Sequence, residues 1–116
     1  YHYITEISGN IDPKKSIKDI ITAMMPGGSV IGCPKISTLN LLNHQERESR
    51  NVYTGSFGYI KSNLDMRFNI IIRSILNYKG MCEISAASGV VIDSTAKREY
   101  QENYVKVKSL LGLFAK

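Results

Sequence analysis

No apolar run in this chain approaches the roughly 20 residues needed to cross a bilayer, and no signal-peptide pattern is visible. A membrane partner is therefore not expected. Cysteine is scarce: Cys33 and Cys82 lie far apart, without metal-type spacing or histidine partners. Their spacing excludes a disulfide framework as the organising principle, and a single bridge stays open only if the two meet in space. Both read as small, buried, reduced residues of a cytoplasmic protein. Internal repeats and low-complexity tracts are missing, and a hydrophobic content of 43% is too high for a disordered tail. Gathered positive charge is missing as well. The net charge is +5, yet Lys14, Lys15 and Lys18, Arg47 and Arg50, and the lysines from 97 to 108 are scattered along the chain. A nucleic-acid surface needs those charges in one patch with aromatic platforms, so no nucleic-acid partner is expected.

What is present has the periodicities of an α+β protein, with an antiparallel sheet packed by helices. Tyr1 to Ser8 alternates like a strand. Asp12 and Pro13 suit the start of a helix, and Ile17, Ile20, Ile21 and Met24 follow at amphipathic spacing. Pro26-Gly27-Gly28 breaks that helix, and a second is predicted from about Pro34 to Asn43. Gln45 to Asn51 reads as a solvent-facing loop. Three strands are predicted over about Val52 to Lys61, Arg67 to Asn77 and Met81 to Ile92, with turns at Asn63 and at Asn77 to Gly80. Ile70, Ile71 and Ile72 in succession predict a middle strand covered on both faces. Ser94 or Thr95 then caps a terminal helix.

That helix carries two stripes. Glu99, Glu102 and Lys106 share one, and Tyr100, Tyr104, Val107, Leu111 and Phe114 fall on another about 120° round. The apolar stripe is expected to build a core. Two carboxylates one turn apart are what a hard cation such as Mg2+ takes from a protein when a substrate anion completes its shell. The alternative is a solvated charged face with a Glu102–Lys106 pair. Arg73, the lone cation in a run of strand apolars, calls for an anion, either a ligand carboxylate or a protein acid.

Five segments, in order, carry a resemblance. They are Pro26-Gly27-Gly28-Ser29-Val30-Ile31-Gly32-Cys33-Pro34-Lys35, Tyr53 to Tyr59, Phe68 to Arg73, Ser88-Gly89-Val90-Val91-Ile92-Asp93-Ser94, and Glu99 to Lys106. Together they resemble the C-terminal part of the chorismate-utilising enzymes, which include the aminodeoxychorismate, anthranilate, isochorismate and salicylate synthases. The resemblance runs from His2 to about Leu111. It implies that residues 1–116 are the C-terminal portion of a chorismate-binding domain, and the start at Tyr1 without methionine is what a truncated piece would show. The Pro-Gly-Gly-Ser turn and the Glu-Tyr-Gln-Glu string look most like the aminodeoxychorismate branch.

The resemblance also implies roles. Glu99 and Glu102 would help hold Mg2+, Arg73 and Tyr53 would meet a substrate carboxylate, and Lys106 would lie near the same pocket. Gly89 would bring its backbone close to the substrate, Ser29 would face the pocket, and His2 would aid proton transfer at the leaving hydroxyl. Two positions depart from the family pattern: Ala87 stands for a glycine and Ile31 for a hydroxyl residue. The partners implied are chorismate and a glutamine amidotransferase subunit, and uncovered faces would favour a homodimer. The competing reading is a non-catalytic remnant or assembly module that has kept the fold.

Overall fold

A computed structural model describes residues 4–115. Residues 4–8 form no strand, so the first predicted element is absent over its described part. The first helix, α1 (Ile17–Met24), starts later than the Asp12-Pro13 pair suggests. Ser16 caps it in a reciprocal box: Ser16 Oγ accepts from Asp19 N at 3.2 Å, and Asp19 Oδ2 accepts from Ser16 N at 2.9 Å. That box satisfies two orphan N–H groups at once, which the Asp12 turn ahead of it cannot do.

The Pro26-Gly27-Gly28 turn leads through the single-turn α2 (Gly28–Ile31) to α3 (Lys35–Gln45). Lys35 reaches back across this turn. Its Nζ donates to the carbonyls of Thr22, Ala23 and Met25 at 3.0, 3.2 and 2.8 Å. The last turn of α1 has no basic residue of its own, so α3 supplies the cation that its carbonyl end favours.

The predicted three-stranded sheet is two separate hairpins. β1 (Ser56–Ile60) pairs with β2 (Met66–Ile70), and β3 (Ile75–Tyr78) pairs with β4 (Met81–Ile84), both antiparallel. The second hairpin turns through Lys79 (φ 50°) and Gly80 (φ 81°), two consecutive left-handed residues as a two-residue I′ loop requires. In the first, Gly58 sits so close to its partner strand that an added Cβ would lie 2.0 Å from the Arg67 carbonyl oxygen.

The long middle strand breaks between Ile70 and Ile75 for a local reason. One further pair forms, with Ile71 N on Gly55 O and Thr54 N on Ile71 O. There the opposing chain turns away through Val52–Gly55, and the ladder has no partner left. Arg73 lies in this break with φ 50°, exposed, and no carboxylate pairs with it among the described residues. The expectation of a cation buried at a strand centre is corrected accordingly. So is the expectation of a doubly covered Ile70–Ile72, since Ile70 and Ile72 are both exposed. β4 likewise stops at Ile84 because β3 ends opposite it, and residues 85–92 continue as an unpaired strap.

The terminal helix α4 (Ala96–Leu111) follows, with Thr95 at its N-cap. Its facing is the reverse of the pattern expected from the stripes. Tyr100, Tyr104, Leu111 and Phe114 are exposed and Val107 is half-buried, whereas Glu99 and Lys106 turn toward the strap. Among the described residues no helix or strand packs closely on α4, so its apolar stripe has nothing to bury against. Among the described residues only Ile31 is buried. The accessible surface is 10657 Å2, against about 6,300 Å2 for a folded monomer of this mass.

Candidate functional site: an acidic pair on a helix held against a polar strap

The strap is tied to α4 at both ends of the acidic stripe. At the near end, Ser94 N donates to the Val91 carbonyl and Ser94 Oγ accepts from Val91 N, both at 3.0 Å, closing a small turn. The same hydroxyl donates to Glu99 Oε1 at 2.6 Å. At the far end, Lys106 Nζ donates to the Ala87 carbonyl at 3.1 Å and pairs with Glu102 Oε1 at 2.6 Å. Gly89 lies on the strap between these ties, with nothing within 4 Å of where a Cβ would stand.

The two carboxylates are in different states. Glu102 is on the solvent side, and its pair with Lys106 is an i,i+4 surface arrangement worth about 0.3–0.5 kcal/mol. Glu99 is half-buried. The hydroxyls of Ser88 and then Ser94, with the Lys106 charge behind them, hold its carboxyl below the usual range, so it is anionic at neutral pH. Only the Ser94 contact has hydrogen-bond geometry; Glu99 Oε2 is shut off from solvent and has no donor. A buried carboxylate oxygen without a partner is costly unless something positive completes it. The orphaned oxygen and the all-oxygen donor set fit a hard cation such as Mg2+. Among the described residues no three His, Cys, Asp or Glu side chains gather in one place, so Glu99 and Glu102 are the two carboxylates this face has to offer a cation.

Tyr53 lies near the start of the strap. It lines a hollow of about 400 Å3 together with Arg50, Glu83 and Ala87. It also lines a larger groove of about 1050 Å3 bordered by Ile21, Leu39, Leu42 and Arg50. The loop from Glu46 to Asn51 borders both hollows while staying exposed except at half-buried Arg50, the solvent-facing loop that the sequence predicts. Arg50 holds Glu46 there through Nε at 2.9 and 2.8 Å to the two carboxylate oxygens, and its Nη1 donates to Thr54 Oγ1 at 3.3 Å. The guanidinium keeps the Glu46 carboxyl below its usual range, and the carboxylate raises the arginine in return.

Of the residues singled out in the sequence, Lys106 pairs with Glu102 and reaches the strap that carries Gly89, Glu99 meets the other end of that strap at Ser94, and Tyr53 lines a hollow that includes Ala87. Ser29 is exposed on α2 and lines neither hollow. Arg73 lies in the strand break, outside both. His2 lies outside the described residues. Ile31, at a position where the family favours a hydroxyl, is the buried core residue, and Ala87 contributes its carbonyl to Lys106. Sequence reasoning missed Ser94 as a partner of Glu99, because it read that serine as a helix cap. It also missed the Glu46–Arg50 pair, whose i,i+4 spacing was the available signal.

Residues 1–112 match the family model described as chorismate binding enzyme, and the chain belongs to that family. It is 38% identical over 105 residues to aminodeoxychorismate synthase component 1 of Bacillus subtilis, covering 90% of this chain and 22% of that protein. It is 34% identical over 111 residues to an anthranilate synthase component I-like protein of Synechocystis, covering 96% of this chain and 23% of the other. The Escherichia coli aminodeoxychorismate synthase component 1 is 32% identical over 111 residues, with 96% and 24% covered. The chain thus spans about a quarter of the curated relatives it matches.

Proposed function

We propose that this chain is the C-terminal part of a chorismate-aminating synthase that makes 4-amino-4-deoxychorismate for para-aminobenzoate and folate synthesis. The observation that carries the reading is the 38% identity to a protein of that name across nine-tenths of this chain. The Pro-Gly-Gly-Ser turn at Pro26 to Ser29 supports the same branch. The reaction breaks the bond from C4 of chorismate to its hydroxyl and forms a bond to ammonia, with water as the balancing product. Ammonia would come from a glutamine amidotransferase subunit, and the protein would act in the cytoplasm.

Glu99 and Glu102 would hold Mg2+, which when bound anchors a substrate carboxylate and neutralises its charge. Lys106 neutralises Glu102 and fixes the Ala87 end of the strap, so that Gly89 presents backbone beside the acidic pair. Tyr53 would reach a substrate carboxylate through the hollow it shares with Ala87. His2 is assigned proton transfer to the leaving hydroxyl, a task suited to imidazole near neutral pH. Ser29 and Arg73 would join the site only with a rearrangement of α2 and of the strand break. With two carboxylates and few of the pocket walls, the 116-residue chain alone is expected to be inactive.

Anthranilate synthesis is the second reading, favoured by the 34% identity to the Synechocystis protein; it would aminate C2 and expel pyruvate. Genetic rescue separates the two. The native gene product should restore growth of a para-aminobenzoate auxotroph and leave a tryptophan auxotroph unrescued. The opposite pattern overturns the first reading, and rescue of neither favours a non-catalytic module. Turnover of chorismate with ammonia by the purified chain alone would overturn the expected inactivity.

A further inference from the structure

Tyr53 sits between two left-handed residues, Asn51 at φ 50° and Thr54 at φ 64°. Asparagine tolerates that conformation, but a β-branched residue takes it only where its surroundings impose it. Thr54 is held from two sides. Its N–H donates to the Ile71 carbonyl at 2.8 Å, and its hydroxyl accepts from Arg50 Nη1 at 3.3 Å.

These bonds fix the peptide groups of Tyr53. The Arg50 carbonyl accepts the Tyr53 N–H at 2.9 Å, closing a turn. The Thr54 hydroxyl, itself held by the Arg50 guanidinium, donates to the Tyr53 carbonyl at 2.5 Å. Arg50 thus secures both ends of Tyr53, one through its backbone and the other through Thr54. Glu46 occupies Nε and Nη2 of the same guanidinium and leaves Nη1 for Thr54, a division of partners that only a planar fork can make. The tyrosine placed in this way lines both the 1050 Å3 groove and the 400 Å3 hollow.

We propose that Arg50 is a positioning residue: braced by Glu46, it holds the strained Thr54 and so sets Tyr53 where it can meet a substrate carboxylate. This rests on the reading of Tyr53 as a carboxylate contact. It adds to that reading the side chains that place the tyrosine without touching the substrate.

The test follows chorismate consumption by the native gene product with ammonia, so it holds whichever of the two amination products forms. Tyr53→Phe should raise KM for chorismate about tenfold, the scale of one hydrogen bond to a charged group. Arg50→Lys keeps the charge but loses the fork, and should raise KM to a similar extent while changing kcat less. With Tyr53→Phe already present, Arg50→Lys should add little, because the two act as one unit. Thr54→Gly separates positioning from stability. It relieves the left-handed strain, so the urea midpoint should hold or rise while KM still rises several-fold. Thr54→Ser keeps the hydroxyl and should keep the wild-type KM.

If Tyr53→Phe leaves KM unchanged, the carboxylate reading of Tyr53 falls and takes this inference with it. If Tyr53→Phe raises KM but Arg50→Lys and Thr54→Gly do not, that reading stands and the role of Arg50 is overturned. A KM that rises only in variants whose urea midpoint falls overturns it as well, since a purely structural ion pair gives that pattern.

Discussion

Lys106 donates to the Ala87 carbonyl at 3.1 Å, spanning nineteen residues of sequence to fasten the strap to the terminal helix. The same ammonium pairs with Glu102 on its own helix. Lys106→Met should therefore loosen the strap rather than unfold α4. Amide hydrogen exchange at Val91, whose N–H bonds Ser94 Oγ, should speed up several-fold while exchange in the helix centre changes little. Equal acceleration in both places would show that the tie is not local.

Lys35 supplies the cation missing from the end of α1. Replacing it by Met removes three charge-assisted contacts to Thr22, Ala23 and Met25 while keeping the aliphatic stem. A loss of about 0.5–2 kcal/mol in urea unfolding is expected, the range for a cation at a helix C-terminus. Lys35→Arg should recover part of it.

Gly58 faces a backbone oxygen that leaves no room for a methyl group. Gly58→Ala should cost about 1–3 kcal/mol by forcing β1 and β2 apart, read as a fall in the urea midpoint. The matching change at Gly89, where the space is open, should leave stability within about 0.5 kcal/mol.

Acid should destabilise the chain in a defined window. Glu46 is held below its ordinary 4.5 by Arg50, Glu99 below 4.5 by Ser88 and Ser94, and Asp19 below 3.8 by Ser16. A carboxyl whose folded value is depressed contributes its stability fully above the unfolded value and loses it as pH falls through the folded one. Urea midpoints should be flat from about pH 7 to 5.5 and decline below about pH 4.5. Glu46→Gln should shallow that decline, and an unchanged slope would remove the Arg50 pair from the account.

Tyr100 and Tyr104 stand 77% and 58% exposed on one face of α4, continued by Leu111 and Phe114. Contiguous apolar surface of this kind drives association. Light scattering should show self-association rising with concentration, and Tyr104→Glu with Phe114→Lys should reduce it. A monomer at high concentration in the unaltered chain would contradict this.

Local signals were legible in the sequence where the cause was local. The break at Pro26, α3 to within two residues, the Asn63 and Lys79-Gly80 turns and the α4 start all depend on near neighbours. Ser16 and Asp19 spelled the capping box at the right spacing, yet Asp12-Pro13 offered a competing start that lacked a reciprocal partner. The strands end before Arg73 and at Ile84 because strand length is set by what lies opposite, and the chain ahead of β1 turns away at Val52–Gly55. The facing of α4 failed for a related reason: periodicity separates two stripes but does not say which one has a surface to meet. The Glu102–Lys106 pair was legible from its i,i+4 spacing, whereas the contact of Ser94 with Glu99 depends on the turn it closes with Val91.

The excess of roughly 4,000 Å2 of accessible surface, with Ile31 alone buried among the described residues, makes the stability of this chain conditional. That excess is the size of an obligate interface. Anything that covers the apolar side of α4 and the outer faces of the hairpins binds the folded form and not the unfolded one. By mass action, the melting temperature then becomes a titration curve of that covering partner, rising with its concentration. For this chain, thermal stability is a binding assay.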